Sequence, residues 1–181
     1  KTTSVRLIAH LLGQTGKRVG MTNSDGVYIA GQRTDTGDCS GPRSARNVLF
    51  HPDVDAAVLE TARGGILREG LGFDRCNVAV VTNIGTGDHL GLNYIGTVAD
   101  LAVVKRVIIH SVNRSGVAVL NAADPMVAAM ADSCPCSVTY FAFDRHERVL
   151  ANHLAQGKRG VFVDDGHMRG VLRHARGFLP E

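Results

Sequence analysis

Two short apolar runs constrain this chain more than any other feature: Ala56-Ala-Val-Leu59 and Val78-Ala-Val-Val81. Runs that short and unbroken, separated by helix-like sequence, read as parallel strands covered on both faces. Each stops abruptly at polar residues, Glu60-Thr61 after the first and Thr82-Asn83 after the second. Ligands of open parallel sheets bind just beyond the carboxyl ends of the strands. Two adjacent strands would therefore bring a carboxylate (Glu60), an amide (Asn83) and the pair Asp88-His89 to one rim. The chemistry is expected there.

The rest of the chain supplies the helices such a sheet needs. A stripe at Val5, Leu7, Ile8, Leu11 and Leu12 predicts a helix that opens directly after Lys1-Thr2-Thr3 and closes near Gly16. Short strands are expected over 19–22 and 27–29, around the turn signal Asn23-Ser-Asp-Gly26. Residues 32–40 read as a polar loop. A helix is expected from Pro42 to about Phe50, and a glycine-started one near 65–69. The strongest later helix runs over 98–112. A strand over 117–120 leads to Asn121-Ala-Ala-Asp124-Pro125, where the proline opens a helix through Ala131. Residues 137–143 read as a strand and 146–155 as a helix, and Asp165-Gly166 marks a hairpin. Strand and helix alternate, which predicts an α/β fold with a mostly parallel sheet and a C-terminal β-hairpin.

Composition narrows the function. With 181 residues, 44% of them apolar and 20% charged, the chain can bury a core as a single domain. A net charge of +3, few aromatics and no Trp make no case for nucleic acid. No apolar run approaches the ~20 residues of a membrane span. Cys39, Cys76, Cys134 and Cys136 fit no zinc spacing, and Cys134-Pro-Cys136 is shorter than a CxxC pair, so all four read as reduced thiols of a cytoplasmic protein.

Four residues are candidates for chemistry, each with a plainer alternative. Lys1 with Thr2 and Thr3 resembles the end of a phosphate-binding loop entering a helix, although any polar residues before a helix look similar. Glu60 is either a Mg²⁺ ligand, since that ion takes oxygen donors, or a solvated strand end. His89 is either a ligand or a loop residue. Lys105 interrupts the apolar row 98, 101, 108 and 112. Its stem either packs while the amine reaches water, or the amine is desolvated and more easily neutralised.

Together these residues carry a resemblance. Glu60-Thr-Ala-Arg-Gly-Gly65, Thr82-Asn-Ile84 with Asp88-His89, Lys105, and Asn121 with Asp124-Pro125 look like the central ATPase domain of the muramyl ligase superfamily. The phrases Gly41-Pro-Arg-Ser-Ala-Arg-Asn47, Glu60 to Phe73 and Gly87-Asp-His-Leu-Gly91 resemble the cyanophycin synthetase branch. The likeness runs from residue 1 to about 145.

The resemblance implies a P-loop NTPase-like domain spanning 1–181, excised after the loop's glycines and before a C-terminal ligase domain. It implies ATP and Mg²⁺ as cofactors, with Lys1 on the phosphates, Thr2 on the metal and Thr3 nearby. Glu60 and His89 would be metal ligands, and Lys105 would carry a carbamate that serves as another. Asn83, Asn121 and Asp124 would belong to the nucleotide site. The implied reaction activates a carboxylate as an acyl phosphate for attack by an amine. In this branch that means arginine joined to the aspartate side chains of a poly-aspartate polymer, in a homo-oligomeric enzyme. The pattern has departures: Ala123 stands where the superfamily has Asp, and Thr86 where the branch commonly has a carboxylate. Peptidoglycan-precursor and folylpolyglutamate ligases are the alternatives within the superfamily. A degenerate, non-catalytic ligase-like domain is the alternative outside enzymology.

Overall fold

The computed structural model describes residues 1–85, 91 and 95–171. The chain forms two compact units, Lys1–Asp74 and Arg75–Glu181.

In the first unit, helix α1 (Thr2–Gly13) lies on a four-stranded sheet of order β3-β2-β1-β4. Strand β1 (Val19–Asn23) pairs parallel with β4 (Ala56–Leu59) and antiparallel with β2 (Gly26–Ile29). The alternation of β1 decides what each face meets. Val19 and Met21 join Val58 and Val5 of α1, with Ile8, Ala9, Leu12 and Tyr28 packed against them. The other face receives α2 (Pro42–Leu49), whose Val48 is fully buried with Val27, Ile29 and Cys39. At ~1.5–3 kcal/mol per fully buried aliphatic side chain, these two clusters hold the unit together. Gly20 lets α2 come this close, because a Cβ there would run into the side chains of Val48 and Val54. Helix α3 (Arg63–Glu69) follows β4.

Strand β3 (Gln32–Thr36) corrects the reading of 32–40 as loop. All five of its residues are exposed, so no apolar alternation announces it. The pairing comes from the turn before it. Ala30 and Gly31 both have positive φ, 49° and 84°, the conformation that closes a two-residue hairpin.

In the second unit the sheet order is β5-β6-β7-β8-β9. Strands β5 (Cys76–Val81), β6 (Val112–Asn121), β7 (Ser137–Asp144) and β8 (Gly160–Asp164) run parallel. Strand β9 (His167–Val171) returns antiparallel through Asp165-Gly166, the expected hairpin. Helix α4 (Val98–His110) starts on a capping box, Thr97 with Asp100, and buries Leu101 and Ile109. Leu120, Val127 and Leu150 complete this core. Helix α5 (Pro125–Ala128) ends earlier than expected and tightens into a 3-10 turn over Ala129–Ser133. Helix α6 (Arg148–Ala155) begins two residues late, because the Glu147 carboxylate accepts from the Leu150 N–H and sets the cap there.

The α/β class and the flanking helices are as expected, but the adjacency of the two apolar runs is not. β4 pairs with β1 and β5 with β6, so the runs belong to different sheets. Among the described residues β5 is an end strand: Ala79 and Val81 are buried while Val78 and Val80 are 55% and 39% exposed. No helix among the described residues is long and apolar enough to cross a membrane.

Candidate functional site

The candidate residues gather in two clusters, one in each unit. In the first, the parallel register sets Thr22 beside Leu59, so Glu60 emerges where β1 ends, and its N–H donates to the Thr22 carbonyl at 3.0 Å. Helix α1 begins at the same end. Thr2 Oγ1 donates to Glu60 Oε2 at 2.8 Å and shares a hydrogen bond with Ser24 Oγ at 3.0 Å. Lys1 Nζ lies 3.4 Å from Glu60 Oε1. The Glu60 side chain is only 4% exposed and that of Lys1 is 55% exposed. Burying a carboxylate costs free energy unless it is paired and hydrogen-bonded, and here both oxygens are engaged. Thr3, one residue on, is exposed.

The loop after β3 adds a second acid. Asp38 accepts from both the Oγ and the backbone N–H of Ser40. Those bonds, aided by the charges of Lys1 and Arg68, hold its carboxyl below the usual range. The buried Ser40 passes its carbonyl to the Ala62 N–H at 3.1 Å, tying this loop to the start of α3. Gly65 permits the approach, since its Cβ would lie 3.1 Å from Pro42 Cδ and 3.2 Å from Gly41 Cα. Gly65, the second glycine after Arg63, is thus a packing requirement as well as part of a motif.

In the second unit the segment after β5 is held from several sides. Lys105 Nζ donates to the Asn83 carbonyl at 3.1 Å, and Asn121 Nδ2 to the Thr82 carbonyl at 2.9 Å. Asp124 Oδ2 accepts from the Ile84 N–H at 2.7 Å, while its Oδ1 caps α5 through the N–H groups of Met126 and Val127. Asn121 Oδ1 accepts from the Ala123 N–H at 2.9 Å. The Asn83 side chain is exposed at the end of β5, with its Oδ1 accepting from Thr82 Oγ1. Lys105 is half-buried on α4, as its place in the apolar row requires.

Lys1, Thr2 and Glu60 therefore come together, and separately so do Asn83, Lys105, Asn121 and Asp124. His89 lies outside the described residues. Sequence reasoning missed Ser24, Asp38 and Ser40. Ser24 was absorbed into a turn signal, and the other two into a stretch read as featureless loop. It also missed Thr22, whose hydroxyl is fully buried with no hydrogen-bond partner among the described residues.

The donors suit a hard cation. A buried carboxylate with two neighbouring hydroxyls is an oxygen set of the kind Mg²⁺ takes when phosphates supply the rest. Among the described residues no three His, Cys, Asp or Glu side chains converge to hold a metal by themselves. The Mur ligase middle domain model matches residues 1–169. The chain belongs to the Mur ligase middle domain family.

Individual relatives point the same way. The chain is 49% identical over 168 residues to a cyanophycin synthetase of Synechocystis sp., covering 93% of this chain and 19% of that protein. It is 46% identical over 168 residues to the cyanophycin synthetase of Geminocystis herdmanii, again covering 93% of this chain and 19% of the relative. It thus spans about a fifth of the length of the curated relatives it matches. A solved structure of a UDP-N-acetylmuramoyl-L-alanyl-D-glutamate–2,6-diaminopimelate ligase matches with a TM-score of 0.63 at 25% identity, covering 79% of this chain and 30% of that one.

Proposed function

We propose that this chain is the ATP-binding middle domain of an ATP-dependent acid–amino-acid ligase of the cyanophycin synthetase type. The observation that carries the reading is the Lys1–Glu60–Thr2 cluster, within a chain nearly half identical to proteins of that name. Residues 1–181 act as one functional domain within a longer homo-oligomeric protein.

Lys1 directs its ammonium to the ATP phosphates, and Thr3 lies beside it in the first turn of α1. Thr2 and Glu60 would hold one Mg²⁺, His89 would be a ligand of a second, and Lys105 would serve as a further metal ligand once carbamylated. Bound Mg²⁺ would supply charge neutralisation at the transferring phosphoryl group. Asn83, Asn121 and Asp124 shape the nucleotide site. In the structure Asn121 and Asp124 already fix the backbone of 82–84, so their part is to hold that loop in place. The reaction transfers the ATP γ-phosphoryl group to a carboxylate, giving an acyl phosphate and ADP. An amine then attacks the acyl carbon, phosphate leaves, and an amide remains. Catalysis of this kind rests on positioning and on electrostatic stabilisation.

The substrates of this reading are an aspartate side-chain carboxylate of a poly-aspartate chain and the amine of arginine. The test uses the full-length protein with ATP, Mg²⁺, labelled arginine and a poly-aspartate primer. Arginine incorporation matched by ADP release, and lost in Glu60→Gln, is expected. ADP release with a peptidoglycan precursor or a folate in place of the primer would transfer the domain to another ligase of the superfamily. No turnover on any acceptor would make it a structural ligase-like domain.

A further inference from the structure

Two sulfurs at the head of β7 take no part in the proposed ligase chemistry. Cys134 closes the 3-10 turn, Cys136 precedes Ser137, and their Sγ atoms lie 3.3 Å apart. Both thiols are free and half-buried, within reach of solvent. The closeness is built into the backbone. Pro135 fixes its own φ and drives the residue before it into extended conformation, and Cys134 has φ −76° and ψ 125°. Burial first, then the adjacent Cys134 sulfur, pushes the Cys136 thiol up to about 11, so at neutral pH it keeps its proton and is a weak thiolate nucleophile.

These properties select a ligand. A structural zinc site takes four ligands, and no third His, Cys, Asp or Glu among the described residues completes a shell. The pair suits a centre that wants two sulfurs, accepts them as thiols, and brings its own remaining substituent. Space for that substituent exists, because Cys136 borders a cavity of about 1140 Å³ whose lining includes Val138, Tyr140, Val149 and His153.

We propose that Cys134 and Cys136 form a bidentate binding site for monosubstituted trivalent arsenicals. With an arsine oxide, two As–S bonds form while the As=O bond and both S–H bonds break. The oxygen leaves with the two protons as water. Arsenic stays trivalent, so neither oxidant nor reductant enters.

The test treats the 181-residue chain with phenylarsine oxide and follows intact mass and peptide maps. One adduct per chain is expected, linking Cys134 to Cys136, resistant to excess monothiol and reversed by a small dithiol. Cys134→Ser and Cys136→Ser should each lower retention by about 10² or more, since each removes the intramolecular partner. Cys76→Ser should leave it unchanged, and circular dichroism of each variant checks the fold. Zn²⁺ alone should not bind tightly. An adduct that persists in either single variant, or that monothiol strips from the wild type, would show that the two thiols act independently and would overturn the proposal.

Discussion

Glu60 is the residue on which the chemistry proposed for the first unit turns, and its surroundings separate function from stability. Its partners Lys1 and Thr2 sit at the exposed start of α1, so water can solvate both when the carboxylate is removed. Glu60→Gln keeps the volume and a hydrogen-bond acceptor, and should cost only about 1 kcal/mol in urea unfolding. The same substitution should remove Mg²⁺-dependent ATP binding. A large loss of stability would instead make Glu60 a structural residue. Asp55 offers a second test at this scale. The Arg18 side chain and N–H bond its carboxylate and hold it down to about 2. The folded value lies below the unfolded one. This contribution is therefore complete above the ordinary carboxylate range of ~4 and disappears as pH falls through about 2. Asp55→Asn should unfold more easily than the wild type at pH 5 and converge with it near pH 2, as read by circular dichroism on acid titration.

At the scale of elements, close packing and one buried network carry the fold. Gly20→Ala should cost about 1–3 kcal/mol, because the new methyl group meets Val48 and Val54 between β1 and α2. In the second unit Tyr140 on β7 donates to the Ala128 carbonyl at 2.7 Å, tying β7 to the end of α5. Its ring meets the buried His153 of α6 edge-on, with centroids 4.8 Å apart. Tyr140→Phe leaves the ring contact and orphans the carbonyl, so a loss of about 1 kcal/mol is expected in thermal or urea unfolding. Most of these elements were legible because apolar periodicity and punctuation agree. The runs at 56–59 and 78–81 and the Asp165-Gly166 turn all declared themselves, whereas the Thr97-to-Asp100 cap emerged only in the structure. β3 did not, since a fully exposed strand has no apolar signature and forms through its hairpin turn. The partnership of β4 and β5 also misled. Two runs of the same composition say that each is a strand, but not which strand each pairs with.

For the molecule as a whole, the candidate site was legible to the extent that its residues stand at strand ends or helix starts. Glu60 was identified by the abrupt end of an apolar run, and Lys1 and Thr2 by their place before a helix. Ser24 and Asp38 escaped notice because their proximity to Thr2 and Lys1 is a product of tertiary structure, absent from local pattern. The measurement that bears most directly on the proposed ligase is calorimetric titration of ATP, with and without Mg²⁺, into the full-length protein and its Glu60→Ala variant. Saturable binding by the wild type only when Mg²⁺ is present, and none by the variant, is the expected result. Equal binding by both proteins, or by the wild type without Mg²⁺, would contradict the assignment of Glu60 as a ligand of the nucleotide's metal.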